Sequence, residues 1–239
     1  MTGPAWVIIP TYDEAECLAP LVAALRTALA GEEDFRILVV DDASPDGTGA
    51  IAEGLAREDP RVAVLHRARK AGLAQAYVAG FTRALAEGAG YVLEMDADFS
   101  HDPADVPRLL AHARAGADLV LGSRYVDGGG VRNWGLRRRV LSRGGCLYAR
   151  AILRVPVRDL TGGFKCFSAT ALRAIDFASA RSEGYAFQVE LTDRVLRRGL
   201  RVVEVPIVFH ERREGSSKMS GRIAVEAAWR VPLLRRYTF

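Results

Sequence analysis

Five times in its first half, this chain passes from a short apolar run to a stretch with helical spacing. The runs cover 6–9, 37–40, 62–65, the segment from Tyr91, and 119–121. Leu18, Leu21, Val22, Leu25 and Leu29 step along one helix face, and Leu73, Tyr77, Phe81 and Leu85 along another. Ile51 with Leu55, and Val106, Leu109, Leu110 and Ala113, mark two more. Strands apolar on both faces are those of a buried parallel sheet, so the pattern predicts an α/β fold with helices flanking a mostly parallel sheet. In such folds ligands bind beyond the carboxyl ends of the strands. Those ends here carry Tyr12 and Glu14, Asp41 and Asp42, Asp96 and Asp98, and Arg124.

The fourth run ends in two carboxylates one residue apart. If the strand continues, alternation points Asp96 and Asp98 the same way. Like charges so close repel unless a cation sits between them. A hard divalent ion, Mg²⁺ or Mn²⁺, suits such a pair and keeps positions open for substrate phosphates. Read only locally, the segment is a polar loop with Asp102 capping the next helix before Pro103. His101 reads better as a helix-start residue than as a metal ligand.

At 239 residues with 49% hydrophobic content, the chain suits one α/β domain, or one domain plus a tail. No run approaches the roughly 18–20 uncharged apolar residues of a membrane span. The N-terminus enters an apolar run with no basic stretch, so no signal peptide is read. Three widely spaced cysteines form no metal motif and fit a reduced, cytoplasmic setting. Net charge is +4, unevenly spread. From Arg124 to Arg158 there are nine arginines against the single acid Asp127, which suits phosphates, lipid headgroups or nucleic acid.

Beyond Arg124 the regular alternation stops. Gly128, Gly129 and Gly130 break structure, and 137–153 follows as a helix with Arg138 and Ser142 four apart. A turn-rich stretch from Asp159 to Phe164 returns to the sheet. Phe187, Leu191 and Val195 mark a core helix, and 202–208, interrupted by Pro206, an edge strand. Residues 211–220 read as a polar lid, and 223–239 as an amphipathic helix, so the expected division is a domain over 1–222 and a tail over 223–239. That tail either packs on its own domain or lies on a membrane.

The motifs together resemble a known family. Residues 9–14 (Ile-Pro-Thr-Tyr-Asp-Glu), 39–48 (Val-Val-Asp-Asp-Ala-Ser-Pro-Asp-Gly-Thr), 95–101 (Met-Asp-Ala-Asp-Phe-Ser-His), 122–125 (Gly-Ser-Arg-Tyr), and Arg212 with Ser217-Lys218 are similar to family 2 glycosyltransferases of GT-A fold, within them the polyprenol-phosphate (dolichol-phosphate) mannosyltransferases. The resemblance implies inverting transfer of mannose from GDP-mannose to a polyprenyl or dolichyl monophosphate, with Mg²⁺ or Mn²⁺. By position it implies guanosine contact from Pro10, Tyr12, Glu14, Val40 and Asp42, with Asp41 beside them. Asp96, Ala97 and Asp98 are then expected at the metal and diphosphate, Arg124, Arg212 and Lys218 at the donor, and Arg138 and Ser142 at the acceptor phosphate. Catalysis is expected to rest on Asp96, Asp98, Arg124 and Arg138.

Two departures stand out. Some relatives place Gln two residues after the second Asp as a further metal ligand; here it is Ser100, a weaker one. Within these 239 residues no stretch reads as the transmembrane tail that many relatives carry. A protein of this kind is expected on the cytoplasmic face of a membrane surface, alone or with a separate membrane subunit, held by the cationic segment and the 223–239 helix. The nearest alternative is a relative using another donor, such as UDP-glucose. A nucleotide-binding module with a basic nucleic-acid arm is disfavoured, because aromatics do not interleave with the arginines. No G-x-G-x-x-G follows the first strand, which disfavours a dinucleotide oxidoreductase.

Overall fold

The computed structural model describes residues 3–211 and 229–235. The first half alternates as its periodicity predicts: β1 (Ala5–Thr11), α1 (Ala15–Ala28), β2 (Phe35–Asp41), α2 (Thr48–Glu58), β3 (Val62–His66), α3 (Leu73–Ala86), β4 (Tyr91–Glu94), α4 (Val106–Arg114) and β5 (Leu119–Ser123). Then come β6 (Gly130–Val131), α5 (Leu136–Leu153), β7 (Lys165–Ser168), α6 (Ala169–Ala174), α7 (Gly184–Arg197), β8 (Val202–Pro206) and β9 (Val208–Phe209). Seven strands form one sheet in the order β3-β2-β1-β4-β7-β5-β8, and β6 pairs with β9 in a small second sheet.

Alternation along β1 explains why the sheet is covered on both faces. Val7 and Ile9 enter one core with Leu18, Leu21 and Leu25 of α1 and Leu109 and Leu110 of α4. Trp6 and Ile8 enter the other with Tyr77 and Phe81 of α3 and Phe187 and Leu191 of α7. On that second face α3 lies so close that a Cβ at Gly80 would overlap the Ile8 side chain. Pro206 sits on β8 at the sheet edge, where its missing N–H costs no ladder bond.

The second half departs from the expected run of parallel strands. β7 inserts between β4 and β5, antiparallel to both. Its register sets Lys165 directly opposite Glu94. Both side chains are fully buried, a placement that no apolar periodicity announces. At the C-terminus, Val231 and Leu234 are buried in the second core, and Leu234 O accepts from Arg197 Nη2 at 3.1 Å. Of the two readings of the tail, its described part takes the one that packs on the domain. The boundary expected at 222/223 lies outside the described residues. Among those residues no helix is long and apolar enough to cross a membrane.

Candidate active site

A cavity of about 350 Å³ opens beyond the carboxyl ends of β1, β2 and β4. It collects Pro10 from the end of β1, Tyr12 and Glu14 from the loop after it, Asp42 from just past β2, and Asp96, Ala97, Asp98 and Ser100 from the turn after β4. Arg138 reaches it from α5. Most of the expected site is thus one continuous surface of ordinary small-ligand size.

The Asp pair arrives there by a different route from strand alternation. β4 ends at Glu94, and the carboxylates lie in a turn closed by Phe99 at φ 60. Asp98 Oδ1 accepts from Ser100 N at 2.9 Å, so Ser100 is a support of the turn through its backbone. Asp96 N donates to His101 Nδ1 at 3.4 Å. The His101 ring stacks on Phe164 with centroids 4.9 Å apart, and burial holds its imidazole well below the usual range. His101 therefore works as a neutral acceptor that orients the Asp96 backbone. Asp102 caps the following turn, its side chain accepting from Ala104 N.

Asp42 shapes the opposite rim. Its carboxylate accepts from Arg67 Nη1 at 2.6 Å and from the backbone N–H groups of Ala71 and Gly72 at 2.9 and 3.1 Å. This ties down the loop that carries Lys70, whose Nζ lies 3.4 Å from the Tyr12 ring centroid. An aromatic face and a cation are thereby set side by side at the cavity.

Four expected residues do not line the cavity. Val40 is core. Asp41 turns toward Thr11, Ser44 and His66. Arg124 is buried in a fork with Asp159: backbone N, Nε and Nη2 donate to its oxygens at 2.9, 2.7 and 2.6 Å. Burial pushes the Asp159 carboxyl up, but the facing guanidinium outweighs it and holds the group below its usual range. Arg124 Nη2 also donates to Thr161 Oγ1 at 2.9 Å, and Thr161 does reach the cavity. Ser142 accepts from the Tyr125 hydroxyl at 2.7 Å. Arg212, Lys218 and the rest of the expected 211–220 lid beyond Glu211 lie outside the described residues.

Other lining residues carry no local motif: Lys70, Thr161, Gly163, Tyr185, Gln188 and Phe209. Gln188 is 2% exposed, and neither amide atom makes a hydrogen bond among the described residues. Burial pushes the nearby Glu94 carboxyl up to about 7, outweighing the Lys165 ammonium and, after it, the Gln188 amide, which both favour the ionised form. Burial likewise lowers Lys165 to about 8, its Nζ donating to Gln188 O and Thr192 Oγ1 at 2.7 and 3.0 Å. The helical reading that assigns Phe187 and Leu191 to the core skips Gln188, one position further round the same helix.

Two hard carboxylates in one open cavity are an apt donor set for a divalent cation that retains substrate oxygens in its shell. The Arg138 guanidinium sits 4.1 Å from the Trp134 ring centroid, and Nη1 donates to Glu211 at 3.4 Å. Its Nε has no partner among the described residues. A cation held by stacking rather than by a buried carboxylate remains available to an anion.

The glycosyl transferase family 2 model matches residues 6–176. Polyprenol monophosphomannose synthase of Mycolicibacterium smegmatis is 50% identical over 226 residues, spanning 94% of this chain and 84% of that protein. Undecaprenyl-phosphate mannosyltransferase of Micrococcus luteus is 52% identical over 220 residues, spanning 92% and 89%. Among solved structures, glucosyl-3-phosphoglycerate synthase from Mycobacterium tuberculosis with phosphoglyceric acid superposes at TM-score 0.72 and 18% identity, covering 99% of this chain and 81% of that one. The same enzyme with Mn²⁺, UDP-glucose and phosphoglyceric acid gives 0.72 at 19%, covering 98% and 79%. These structural likenesses are of fold, the GT-A arrangement expected from the motifs. Family match, identity over nearly the whole chain and fold agree: the chain belongs to glycosyl transferase family 2.

Proposed function

We propose that this enzyme transfers mannose from GDP-mannose to a polyprenyl monophosphate, with inversion, using Mg²⁺ or Mn²⁺ bound by Asp96 and Asp98. The observation that carries the reading is that one cavity holds the Asp pair, which suits a cation and diphosphate, together with Arg138, which suits a second phosphate. The two relatives at half identity are named for lipid-phosphate mannosyl transfer and support the choice of sugar and acceptor.

When bound, the cation neutralises negative charge developing on the departing diphosphate. The chain's own residues supply position. Tyr12 and the Asp42-tethered Lys70 loop would form the nucleotide side, and Gln188 offers an unsatisfied amide to a polar ligand. A phosphate monoester has a second pKa near 6, so at neutral pH the acceptor is largely the dianion and needs no dedicated base. Arg138 presents a fork that orients it for attack. One acceptor oxygen forms a bond to the anomeric carbon as the bond from that carbon to the GDP oxygen breaks. Attack from the face opposite the leaving group inverts the centre.

Calorimetry with GDP and UDP in Mn²⁺ tests the donor assignment. GDP should bind at least tenfold tighter. Tighter UDP binding would move the donor to a uridine sugar nucleotide and leave the family unchanged.

A further inference from the structure

The buried amide of Gln188 borders a space that the backbone leaves open. Helix α7 fixes where it sits. Phe187 and Leu191 are committed to the core, and Gln188 O accepts from Lys165 Nζ at 2.7 Å and from Thr192 Oγ1 at 3.0 Å. The side chain is thereby held at the cavity wall, and neither polar atom of its amide is paired among the described residues. Glu94 lies close enough to feel that amide, but no hydrogen bond joins them. Gly163 is the other neighbour. A Cβ there would stand 3.7 Å from the Gln188 amide nitrogen and 4.0 Å from Asp96 Oδ1, ordinary contact distances to both. Gly163 thus keeps free a space that touches an unpaired amide and the first carboxylate of the Asp pair. A buried polar group without a partner points to one that arrives from outside.

The strand order says which part of a ligand falls there. Tyr12 and Asp42 follow β1 and β2, the Asp pair follows β4, and Gly163 precedes β7, the next strand across. Because β7 runs antiparallel to β4, its first residue shares the edge where β4 ends. Nucleoside, diphosphate and the group beyond the diphosphate would lie in that order along the cavity. In a sugar nucleotide the last group is the hexose. A neutral amide that donates and accepts matches a hydroxyl, which does both. A phosphate offers acceptors only, and here it would meet the carboxylates of Asp96 and Glu94. We infer that Gln188 and Gly163 form the donor's sugar subsite, Gln188 bonding a hexose hydroxyl in the space that Gly163 leaves beside Asp96. The inference deepens the proposed function and rests on its nucleotide-sugar donor. Gln188 is then a specificity-determining residue. A donor lacking that hydroxyl leaves the buried amide unpaired, and sites of this kind reject such analogues strongly.

Gly163→Ala tests this without altering Gln188. Gly163 does not take the left-handed region, and the added methyl meets nothing closer than ordinary contact, so the variant should keep its Tm. Calorimetry in Mn²⁺ should show GDP-mannose binding weakened by about tenfold or more, with GDP within about twofold of the wild type, because only the sugar meets the methyl. A second variant, Gln188→Leu, should not lower Tm, since it removes an unpaired buried amide. Its kcat/KM for GDP-mannose should fall on the order of 10²-fold. Among monodeoxy GDP-mannoses, one should already be that poor with the wild type, and Gln188→Leu should cost it nothing more. Equal effects of Gly163→Ala on GDP and GDP-mannose, or one Gln188→Leu penalty across all the analogues, overturn the inference, since both residues would then be structural. UDP and UDP-glucose, titrated in parallel, separate it from the donor assignment. A sugar-dependent loss in the uridine pair alone would keep the subsite and count against GDP-mannose as the donor. Failure of the wild type to bind either sugar nucleotide would overturn both.

Discussion

Asp98→Asn is expected to abolish transfer, with a loss on the order of 10³-fold or more, while the protein stays folded. The substitution keeps the oxygen that accepts from Ser100 N, so the turn that positions the site survives. What it removes is one of the two negative charges of the Asp96–Asp98 pair, and with it the affinity for a divalent ion. The loss should appear in kcat, because charge on the diphosphate develops mainly in the transition state. Circular dichroism and Tm report the fold, and a metal titration reports the site. A folded variant with near-normal kcat would remove the Asp pair from the mechanism.

The second large effect is on stability. Asp159→Asn leaves the Arg124 guanidinium buried without its counter-charge, for a cost of about 3–5 kcal/mol. For a chain of this length that is a fall in Tm on the order of 10 °C. The pair also links the end of β5 to the segment before β7 through Arg124 N, and Asp159 N ties that segment to Glu204 of β8 at 2.9 Å. On this account Arg124 acts on the site through Thr161. If Asp159→Asn keeps its Tm and only weakens donor binding, Arg124 is instead a direct contact of the donor, as the family resemblance implies.

The first half of the fold is legible in the sequence because buried parallel strands must be apolar throughout and their helices must repeat every three to four residues. β7 is not legible, because it begins with a lysine. Lys165 is tolerated only where Gln188 O and Thr192 Oγ1 meet its ammonium, contacts made by a helix more than twenty residues away. The Asp pair is legible as a motif, yet its geometry is not, since the strand stops at Glu94 and a left-handed Phe99 closes the turn. Arg124 shows the limit of carrying a role by position: the residue matches, but its guanidinium is taken up by Asp159. α5 announces its charge and hides its apolar face. Leu136, Val140 and Leu147, all exposed, are separated by arginines, small residues and Leu141 in the sequence, and only helical winding gathers them.

Mannosyl transfer onto a lipid phosphate is read directly in one assay. The enzyme is given GDP-mannose labelled in the sugar and a polyprenyl monophosphate, with Mg²⁺ or with EDTA. Label should pass into the lipid fraction only with the metal, as a mannosyl phosphate of inverted anomeric configuration by NMR. Transfer that persists in EDTA, or lipid labelled from UDP-glucose in preference to GDP-mannose, would contradict the account.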